Sequence, residues 1–388
     1  MDKEIIGVLG AGTMGQGIAQ VAAGCHHKVY LYDAYPDQLG KARHTLRTTM
    51  QRQVEKDRML QQEVDDIMNR IHFADDLTGY GRCDLAVEAV VEDLEIKQDV
   101  FRRLEGIVSR DCILATNTSS LSIASLSSVL KKPGRFLGTH FFNPAPQMPL
   151  VEIVPGISTS AGTVKKTRRL LGSWKDHTVL AKDTPGFIVN RVARPFFGEA
   201  LRQLEEGVAD VSTIDWAMKE IGGFKRGPFQ LMDFIGNDIN YKVTVTIFEE
   251  FFYDPRFKPS LIQQRMVEAG HLGRKSGKGF YEYGDNEKEQ VPTKDRDVGQ
   301  QIVNRILTML INEAADVVFM NIAAAKEVDL AMTKGVPFPK GPLEWADDLG
   351  LMNVLDRLTG LQTEYREDRY RPNPLLKKMV RNNETFYG

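Results

Sequence analysis

A glutamate interrupts the apolar run Leu150-Val-Glu-Ile-Val154, twelve residues after His140. A carboxylate in an apolar strand costs several kcal/mol unless it is paired or strongly hydrogen-bonded. Residues 136–142 and 150–154 have the pattern of strands, and the proline-rich loop between them can bring His140 beside Glu152. Such a pair fixes the imidazole tautomer and makes His140 an oriented general base or acid. The alternative interpretation is a core histidine in a structural ion pair.

A glycine-rich turn near the N-terminus supplies a second candidate site. Residues 5–9 predict a short buried strand, which a turn, a helix and a second strand at 28–32 follow. With the acid Asp33 after the second strand, this order is typical of a dinucleotide-binding unit. Asp33 favours NAD over NADP, because its carboxylate accepts from ribose hydroxyls and repels a 2′-phosphate. The candidate cofactor contacts in the turn are Gly10, Gly12, Thr13, Met14 and Gly15.

Further polar residues stand where predicted strands end. Strand-like runs at residues 84–91 and 112–116 alternate with helical patterns, which predicts a doubly wound α/β sheet of the Rossmann type. Glu92, Asn117 and Ser119 follow such runs, as His140 does. Because active sites on these sheets lie at the carboxyl ends of the strands, we expect these residues to form one site.

Residues 36–72 are more than a simple crossover between strands needs. They predict a helical hairpin, broken near Asp57, that is inserted into the first domain. Most charge runs are solvated helix faces, and the alternative is a local basic patch that meets a polyphosphate substrate. The cations of the hairpin are Lys41, Arg43, His44, Arg47, Arg52, Lys56 and Arg58.

Composition narrows the class of protein. The chain has 388 residues and a formal net charge of −2, without the global basic field that is typical of nucleic-acid binders. The three cysteines have neither metal-site nor disulfide-framework spacing, so we expect no metal and a reducing compartment. No segment approaches a membrane span and no leader pattern opens the chain, so we expect a cytoplasmic protein without membrane contact.

Several motifs together resemble the L-3-hydroxyacyl-CoA dehydrogenase family, which includes the 3-hydroxybutyryl-CoA dehydrogenases. They follow the order and spacing of that family from residue 1 to about residue 285. The motifs are GAGTMGQGIAQVAA, DLAVEAVVED, ATNTSSLSI, GTHFFNPAPQMPLVEIV, GFIVNRV and GRKSGKGFYEY.

The resemblance implies an NAD-dependent, reversible oxidation of (S)-3-hydroxyacyl-CoA to 3-oxoacyl-CoA. It implies that His140 is the catalytic base, that Glu152 orients it, and that Ser119 hydrogen-bonds the reacting oxygen. Asn190 would steady the substrate carbonyls, and the hairpin would bind CoA, with Lys56 as a phosphate ligand. Besides the glycine-rich turn, the positions that match NAD contacts are Asp33, Glu92, Lys97, Asn117, Asn143 and Lys275.

Beyond Asp183-Thr-Pro-Gly186 the sequence is helical and repeats itself at an offset of 114 residues. Ile188-Val-Asn-Arg191 recurs as Ile302-Val-Asn-Arg305, so Asn190 has a counterpart, Asn304, that lacks a Ser–His–Glu set. Asn190 can therefore also serve a structural turn. We expect a Rossmann-type domain at 1–184 and two tandem all-α copies at 185–287 and 288–388. Only the first copy is followed by the segment from Gly273 to Tyr281.

The resembled family suggests how the copies are arranged. Its shorter chains dimerise through the helical domain, whereas its two-copy chains stack the copies inside one polypeptide. We expect an internal pseudo-dimer here, in a chain that is a monomer or a weak homodimer. Candidates for the buried face are Val317, Val318, Phe319 and Met320.

Other functions compete with this interpretation. A gulonate dehydrogenase of the lambda-crystallin type would share the His–Glu pair, but such relatives typically have proline directly after the histidine, where this chain has Phe141. A β-hydroxyacid dehydrogenase would need a catalytic lysine in a glycine-rich helix, which we do not find. A non-catalytic protein that kept the fold is a third possibility. A hydratase and a thiolase would be separate partners of a dehydrogenase.

Overall fold

The computed structural model describes residues 3–284 and 290–388. The chain divides into two compact units, Met1–Thr184 and Pro185–Gly388. Within the described ranges, no helix has the length and apolar character needed to cross a membrane. The expected boundary between the helical copies, at residues 287 and 288, lies outside the described residues.

The first unit is built on one sheet. Its strands are β1 (Ile5–Leu9), β2 (Lys28–Tyr32), β3 (Ile71–Ala74), β4 (Leu85–Glu88), β5 (Ile113–Thr116), β6 (Phe136–Phe141), β7 (Leu150–Pro155) and β8 (His177–Leu180). Their spatial order is β3-β2-β1-β4-β5-β6-β7-β8. Neighbouring strands are parallel except β6 and β7, which pair antiparallel. The sheet has the doubly wound order predicted for this part of the chain.

Six helices flank the strands of this unit. They are α1 (Thr13–Gly24), α2 (Pro36–Val54), α3 (Gln61–Arg70), α4 (Leu94–Ile107), α5 (Ile123–Ser127) and α6 (Ala161–Leu171). Apolar residues of β1, β2 and β4 pack with those of α1, α2 and α3 in the main core. The predicted hairpin is therefore α2 and α3, and the chain reverses near Asp57, which has a positive φ of 52°.

Some predicted boundaries of the first unit were wrong. The hairpin ends at Arg70, because residues 71–74 form β3, an edge strand that the sequence analysis missed together with β8. Both are four residues long, and β3 carries the exposed His72 at its centre, so neither has an apolar pattern. The strand expected to reach residue 91 ends at Glu88, because the carboxylate of Glu88 accepts from the N–H of Val90 and turns the chain out of the sheet.

The second unit is helical. Its helices are α7 (Val189–Val192), α8 (Arg194–Glu205), α9 (Val211–Trp216), α10 (Pro228–Ile235), α11 (Asn237–Glu250), α12 (Leu261–Glu268), α13 (Arg296–Phe319), α14 (Ala325–Gly335), α15 (Pro342–Leu349), α16 (Leu351–Tyr365) and α17 (Pro374–Asn382). A Rossmann-type unit followed by a helical region confirms the predicted fold class. We name residues 185–284 the first repeat and residues 290–388 the second repeat.

Equivalent positions of the two repeats occupy equivalent elements. Helices α10 and α15 start at corresponding prolines, and each ends at a glycine of positive φ, 104° at Gly236 and 80° at Gly350. The helix that follows, α11 or α16, starts directly after that glycine. The repeated sequence therefore folds into repeated structure.

Reciprocal contacts join the two repeats, and α8 packs against α13. Arg191 Nε donates to Glu313 Oε1 at 2.6 Å, and its counterpart Arg305 donates to Glu199 Oε2 at 3.0 Å. The ring centroids of the equivalent residues Phe224 and Phe338 lie 5.0 Å apart. The two ion pairs are counterparts of each other and the phenylalanine contact joins equivalent residues, as in an isologous interface.

The expected buried face was only partly right. Val317 is fully buried and Val318 is half-buried, but Phe319 is 44% exposed and Met320 is 55% exposed. The reason is their position, because α13 ends at Phe319 and Met320 is its C-terminal capping residue. The buried face of α13 instead includes residues nearer its middle, such as Leu310 and Ala314.

The end of the first repeat also has a counterpart, which the sequence analysis missed. Asp233 accepts from the N–H groups of Phe280 and Tyr281, and Asp347 accepts in the same way from Phe386 and Tyr387. The second repeat thus keeps the Phe-Tyr end of the segment from Gly273 to Tyr281. It lacks the glycine-rich loop before that end, and this shortening hid the match in the sequence.

Candidate active site

His140 and Glu152 face each other on the antiparallel pair β6 and β7. The distance between His140 Nδ1 and Glu152 Oε2 is 2.6 Å, so the predicted hydrogen bond is present. Glu152 is fully buried and His140 is 6% exposed. Because Nδ1 is bound to Glu152, the ring can present Nε2 for proton transfer. An imidazole held in one orientation beside a carboxylate is suited to general acid–base chemistry.

A buried lysine holds the loop after β6 in place. Lys175 Nζ donates to the carbonyl oxygens of Ala145 and Met148. Burial lowers the pKa of Lys175, and the nearby Cys25 and Asp176 oppose that shift. Asn143 lies at the start of this loop, is exposed and precedes a cis peptide bond to Pro144. Asn143 lies three residues beyond His140, at the start of the loop that Lys175 holds.

A chain of charged and polar groups follows the ends of β4 and β5. Lys97 Nζ lies 2.6 Å from Glu88 Oε1 and 3.2 Å from Glu92 Oε2. Glu92 Oε1 accepts from the Thr118 hydroxyl at 2.5 Å and from the Ser119 N–H at 3.2 Å. Burial opposes ionisation of Glu92, but Lys97 and these hydrogen bonds together hold its pKa below the usual range. Glu92 is therefore a carboxylate that orders the loop carrying Ser119.

Glu88 belongs to this network and was missed in the sequence. It is fully buried, and its Oε2 accepts from the Thr116 hydroxyl at 2.7 Å. The signal that pointed to Glu152 was present here too, because Glu88 is a carboxylate inside the apolar run of β4. Lys97 is 1% exposed and lies between two carboxylates. Lys97, which was predicted to contact NAD, is therefore a buried residue that contacts Glu92.

Asn117 and Ser119 lie on the loop that leaves β5. Asn117 Oδ1 accepts from the N–H of Phe141 at 2.9 Å, which ties the end of β5 to the end of β6. His140 is the neighbour of Phe141, so Asn117 links the Ser119 loop to the His140 strand. The structure therefore brings Glu92, Ser119 and His140 to one edge of the sheet, as predicted.

The glycine-rich turn leaves room for a ligand at one position. A Cβ at Gly10, whose φ is +96°, would lie 2.4 Å from Ala89 O, and one at Gly15 would lie 1.7 Å from Gly10 O. No heavy atom lies within 4 Å of a Cβ built at Gly12. Gly12 precedes α1, whose first residues Thr13 and Met14 follow directly. The open space beside a helix N-terminus suits a pyrophosphate.

Asp33 completes the dinucleotide-binding geometry at the end of β2. Its Oδ2 accepts from the N–H of Ala11 at 2.7 Å, and its Oδ1 accepts from that of Tyr35 at 3.0 Å. The carboxylate thus lies against the glycine-rich turn. The predicted contact of this carboxylate with the adenosine ribose of NAD stays a prediction.

The remaining predicted residues belong to elements outside the sheet. Lys56 is exposed in the turn between α2 and α3. In the second unit, Asn190 lies in α7 and Lys275 lies in the loop that only the first repeat has. Lys275 Nζ is 2.6 Å from Asp238 Oδ1, so this cation has an acidic neighbour.

Two family models match the chain. The model described as 3-hydroxyacyl-CoA dehydrogenase, NAD binding domain, matches residues 5–184. The model described as 3-hydroxyacyl-CoA dehydrogenase, C-terminal domain, matches residues 186–283 and again residues 301–386. The second model therefore covers both repeats, each by itself.

Known proteins of similar sequence and structure bear related names. The chain is 34% identical to 3-hydroxyadipyl-CoA dehydrogenase of Escherichia coli, over 97% of this chain and 98% of that protein. It is 37% identical to 3-hydroxybutyryl-CoA dehydrogenase of Bradyrhizobium diazoefficiens, over 74% of this chain and 98% of that protein. A crystal structure of 3-hydroxybutyryl-CoA dehydrogenase from E. coli superposes with a TM-score of 0.93 at 33% identity, covering 98% of this chain and 99% of that one.

Proposed function

The chain belongs to the 3-hydroxyacyl-CoA dehydrogenase family, and we propose that it interconverts (S)-3-hydroxyacyl-CoA and 3-oxoacyl-CoA. As a member of this family it is an NAD-dependent oxidoreductase. The observation that best supports a catalytic role is the buried hydrogen bond between His140 and Glu152. It lies at the same edge of the sheet as the glycine-rich turn and the Ser119 loop.

His140 acts as the base in the proposed oxidation. As the C3–H bond breaks, the hydroxyl proton passes to Nε2 of His140, while Glu152 stabilises the imidazolium through Nδ1. NAD, when bound, accepts the hydride from C3. In the reverse reaction the protonated His140 returns the proton to the oxygen of the ketone.

Ser119 and Asn190 assist by hydrogen bonding in this proposal. The Ser119 hydroxyl stabilises the charge that develops on the C3 oxygen, and Glu92 and Thr118 hold its loop. Asn190 steadies the substrate carbonyls. The carboxylate of Asp33 and the space at Gly12 support the binding of NAD at the glycine-rich turn.

The CoA moiety binds the hairpin of α2 and α3 in this proposal. Lys56, which is exposed and has no described carboxylate partner within residues 3–284 and 290–388, is the proposed ligand of a CoA phosphate. The names of the relatives suggest two acyl classes, the short 3-hydroxybutyryl chain and the 3-hydroxyadipyl chain with its terminal carboxylate. A hydratase that supplies the 3-hydroxyacyl-CoA and a thiolase that consumes the product are proposed partners, and a cytoplasmic location stays a prediction.

The experiment that tests the proposal is NADH oxidation with acetoacetyl-CoA. We expect turnover in the wild type and a fall in kcat of about 10²- to 10⁴-fold in His140→Ala, because general acid–base catalysis has that size. Glu152→Gln should lower kcat less, since it keeps a hydrogen-bonding group beside Nδ1. NADH binding, followed by fluorescence, should be retained in both variants.

His72→Ala provides the matched control, because His72 is an exposed histidine on the edge strand β3. Its kcat should equal that of the wild type. Full activity of His140→Ala would contradict the proposed base. NADH binding without turnover of any 3-oxoacyl-CoA by the wild type would instead favour a different substrate, such as a gulonate, or a non-catalytic protein.

A further inference from the structure

A groove lies between α2, the end of α3 and the edge strand β3 of the first unit. Its volume is about 550 Å³, which is within the range of sites for small molecules. The buried part of its lining is apolar and consists of Met68 and Ile71, beside the half-buried ring of Phe73. A cavity of this size with an apolar base and polar walls has the composition of a ligand site.

One wall of the groove is a cationic stripe of α2. Its residues are spaced so that they share one face of the helix. They are Gly40, Arg43, His44 and Arg47. Among the described residues that line the groove, none is acidic. Lys41, another cation of the same helix, does not line it. The groove thus collects positive charge in a chain whose formal net charge is −2.

The ring of Phe73 holds Arg43 in place. The guanidinium carbon lies 4.6 Å from the ring centroid, so one face of the guanidinium is stacked on the ring. The N–H groups of a guanidinium lie in its plane, and stacking leaves that edge open to an acceptor. The described part of the chain gives Arg43 this ring contact but no carboxylate partner. Arg43 is therefore a fixed donor that lacks an anion.

Arg43 and Arg47 stand one helical turn apart and carry the same charge. Like charges at this spacing destabilise a helix. His44 lies on the same face, and its Nε2 is 3.5 Å from the Thr48 hydroxyl. Within residues 3–284 and 290–388, no carboxylate is paired with either arginine to offset the repulsion. An anion bound in the groove would offset it.

Gly40 lets a ligand approach the backbone of α2. It is an interior residue of this helix and does not have a positive φ. No heavy atom of the described chain lies within 4 Å of a Cβ built there. Neither packing nor backbone conformation therefore requires glycine, which lowers helix stability relative to alanine. A ligand that lies against α2 at this point gives the glycine a use.

We propose that this groove binds a nucleoside phosphate, at a site separate from those proposed for NAD and CoA. Arg43 and Arg47 bind the phosphates, because guanidinium groups form bidentate, charge-assisted hydrogen bonds with phosphate oxygens. The base lies on the apolar part of the lining, since nucleobases stack on aromatic and guanidinium planes. The amide of Asn69, which also lines the groove, can bind the edge of the base. Neither the glycine-rich turn nor Lys56 lines this groove.

The test is titration of the protein with ADP, followed by isothermal titration calorimetry. NAD is present at saturation, because ADP would otherwise occupy the dinucleotide site. We expect one ADP to bind per chain of the wild type. Arg43→Met and Arg47→Met should each weaken binding by about 10-fold, the lower end for a hydrogen bond to a charged group, because the groove is open to water. Lys41→Met, the matched control on the same helix, should bind ADP as the wild type does.

Gly40→Ala tests the groove in a variant that should fold at least as well as the wild type, since alanine favours a helix. Its Tm should be equal or higher, and it should bind ADP more weakly because the added methyl group occupies the groove. Adenosine and inorganic phosphate should each bind the wild type more weakly than ADP. Inorganic phosphate that binds as tightly as ADP would overturn the nucleoside part of the proposal.

The remaining outcomes separate this groove from the substrate site. The KM for acetoacetyl-CoA should be the same in Arg43→Met and in the wild type, and a raised KM would show that the groove holds the substrate instead. Loss of ADP binding in Lys56→Met but not in Arg43→Met would assign the nucleotide to the turn after α2 and overturn the proposal. A wild type that binds no ADP in the presence of NAD would also overturn it.

Discussion

Two aspartates hold the same places in both helical repeats. Asp215 accepts from the first N–H groups of α10, and Asp329 does so for α15, with each distance 2.9 Å. A tyrosine hydroxyl donates to each of them at 2.8 Å, from Tyr281 in the first repeat and from Tyr387 in the second. These contacts fix the ends of helices and survive in a repeat that lacks the predicted catalytic partners. They belong to the scaffold.

The interiors of the repeats differ instead. The first repeat has several buried polar side chains around Arg194, and the second repeat packs apolar side chains at the positions equivalent to these neighbours. The first repeat also keeps the loop with Lys275, which the second lacks. The comparison is an internal control, because a feature in both repeats is explained by folding and a feature in one needs another explanation. By this criterion Arg194 and Lys275 are better functional candidates than Asn190, whose counterpart Asn304 is retained.

The largest effect is expected when the second repeat is removed. A chain ended after Gly284 would expose the face of α8 that now packs against α13. In a dimer of such chains, Arg191 of one copy can meet Glu199 of the other, as Arg305 meets Glu199 now. We expect the shortened chain to sediment as a homodimer, and we expect the full chain to sediment as a monomer or a weak dimer. A shortened chain that stays monomeric and folded would contradict the equivalence of the two faces.

The next test removes equivalent interface carboxylates. Glu199→Ala removes a buried carboxylate from Arg305 and Arg369, and Glu313→Ala removes one from Arg191 and Arg256. Arg305 keeps Glu206, and Arg191 and Arg256 keep Asp316. Breaking a buried ion pair from one side costs about 3–5 kcal/mol. Because three of the four arginines keep a carboxylate, we expect losses at or below the lower end of this range, similar in the two variants, in the free energy of unfolding measured with urea. A large loss in only one variant would show that the interface is not symmetric in energy.

Proton linkage provides a smaller test. Burial raises the pKa of Asp215 to about 7 and also raises that of Asp329. An unfolded aspartate ionises at about 3.9, so between these values only the folded chain holds the proton. The stability that Asp215 contributes is therefore present at low pH and lost as pH rises towards 7.

The measurement compares the wild type with Asp215→Asn at about pH 5 and about pH 7.5. The difference in the free energy of unfolding, wild type minus variant, should be larger at the lower pH. Asp329→Asn should behave in the same direction. A difference that grows with pH would mean that the aspartates are ionised in the folded state.

The smallest expected effect concerns Thr308, which stands where the first repeat has Arg194. Its hydroxyl is buried and has no hydrogen-bond partner among the described residues. Thr308→Val removes this unsatisfied group at nearly equal volume, so we expect between no change and a gain of about 1 kcal/mol in the free energy of unfolding. A clear loss of stability in a thermal melt would show that Thr308 is not the simple apolar substitute for Arg194 that the comparison implies.

Strong local patterns made much of the fold predictable. The glycine-rich turn, the hairpin and the repeat all follow from residues close in sequence or from a constant offset. The edge strands β3 and β8 were missed, because four-residue strands that carry polar residues resemble loops. The shortened end of the second repeat was missed because deletions remove the constant offset, although Asp347 binds Phe386 and Tyr387 there.

The site residues were predictable where a charged residue lay within an apolar run. Glu152 stood out in an apolar run, and the register of β6 and β7 then placed it opposite His140. Glu88 gave the same signal and could have been found in the same way. Arg194 could not, because an arginine near the start of a helix usually points to solvent. Only the packing of α11 against its neighbours reveals that this arginine is buried.

The reciprocal salt bridges between α8 and α13 also bear on how such a protein can change over generations. In a dimer of identical chains, one codon change alters both sides of the interface at once. Here Arg191 and Arg305 are encoded by separate codons. A substitution of one arginine therefore leaves the other ion pair intact, and that pair still holds the two repeats together. The second repeat can therefore drift towards a plain apolar interior. The first repeat meanwhile keeps its buried polar side chains.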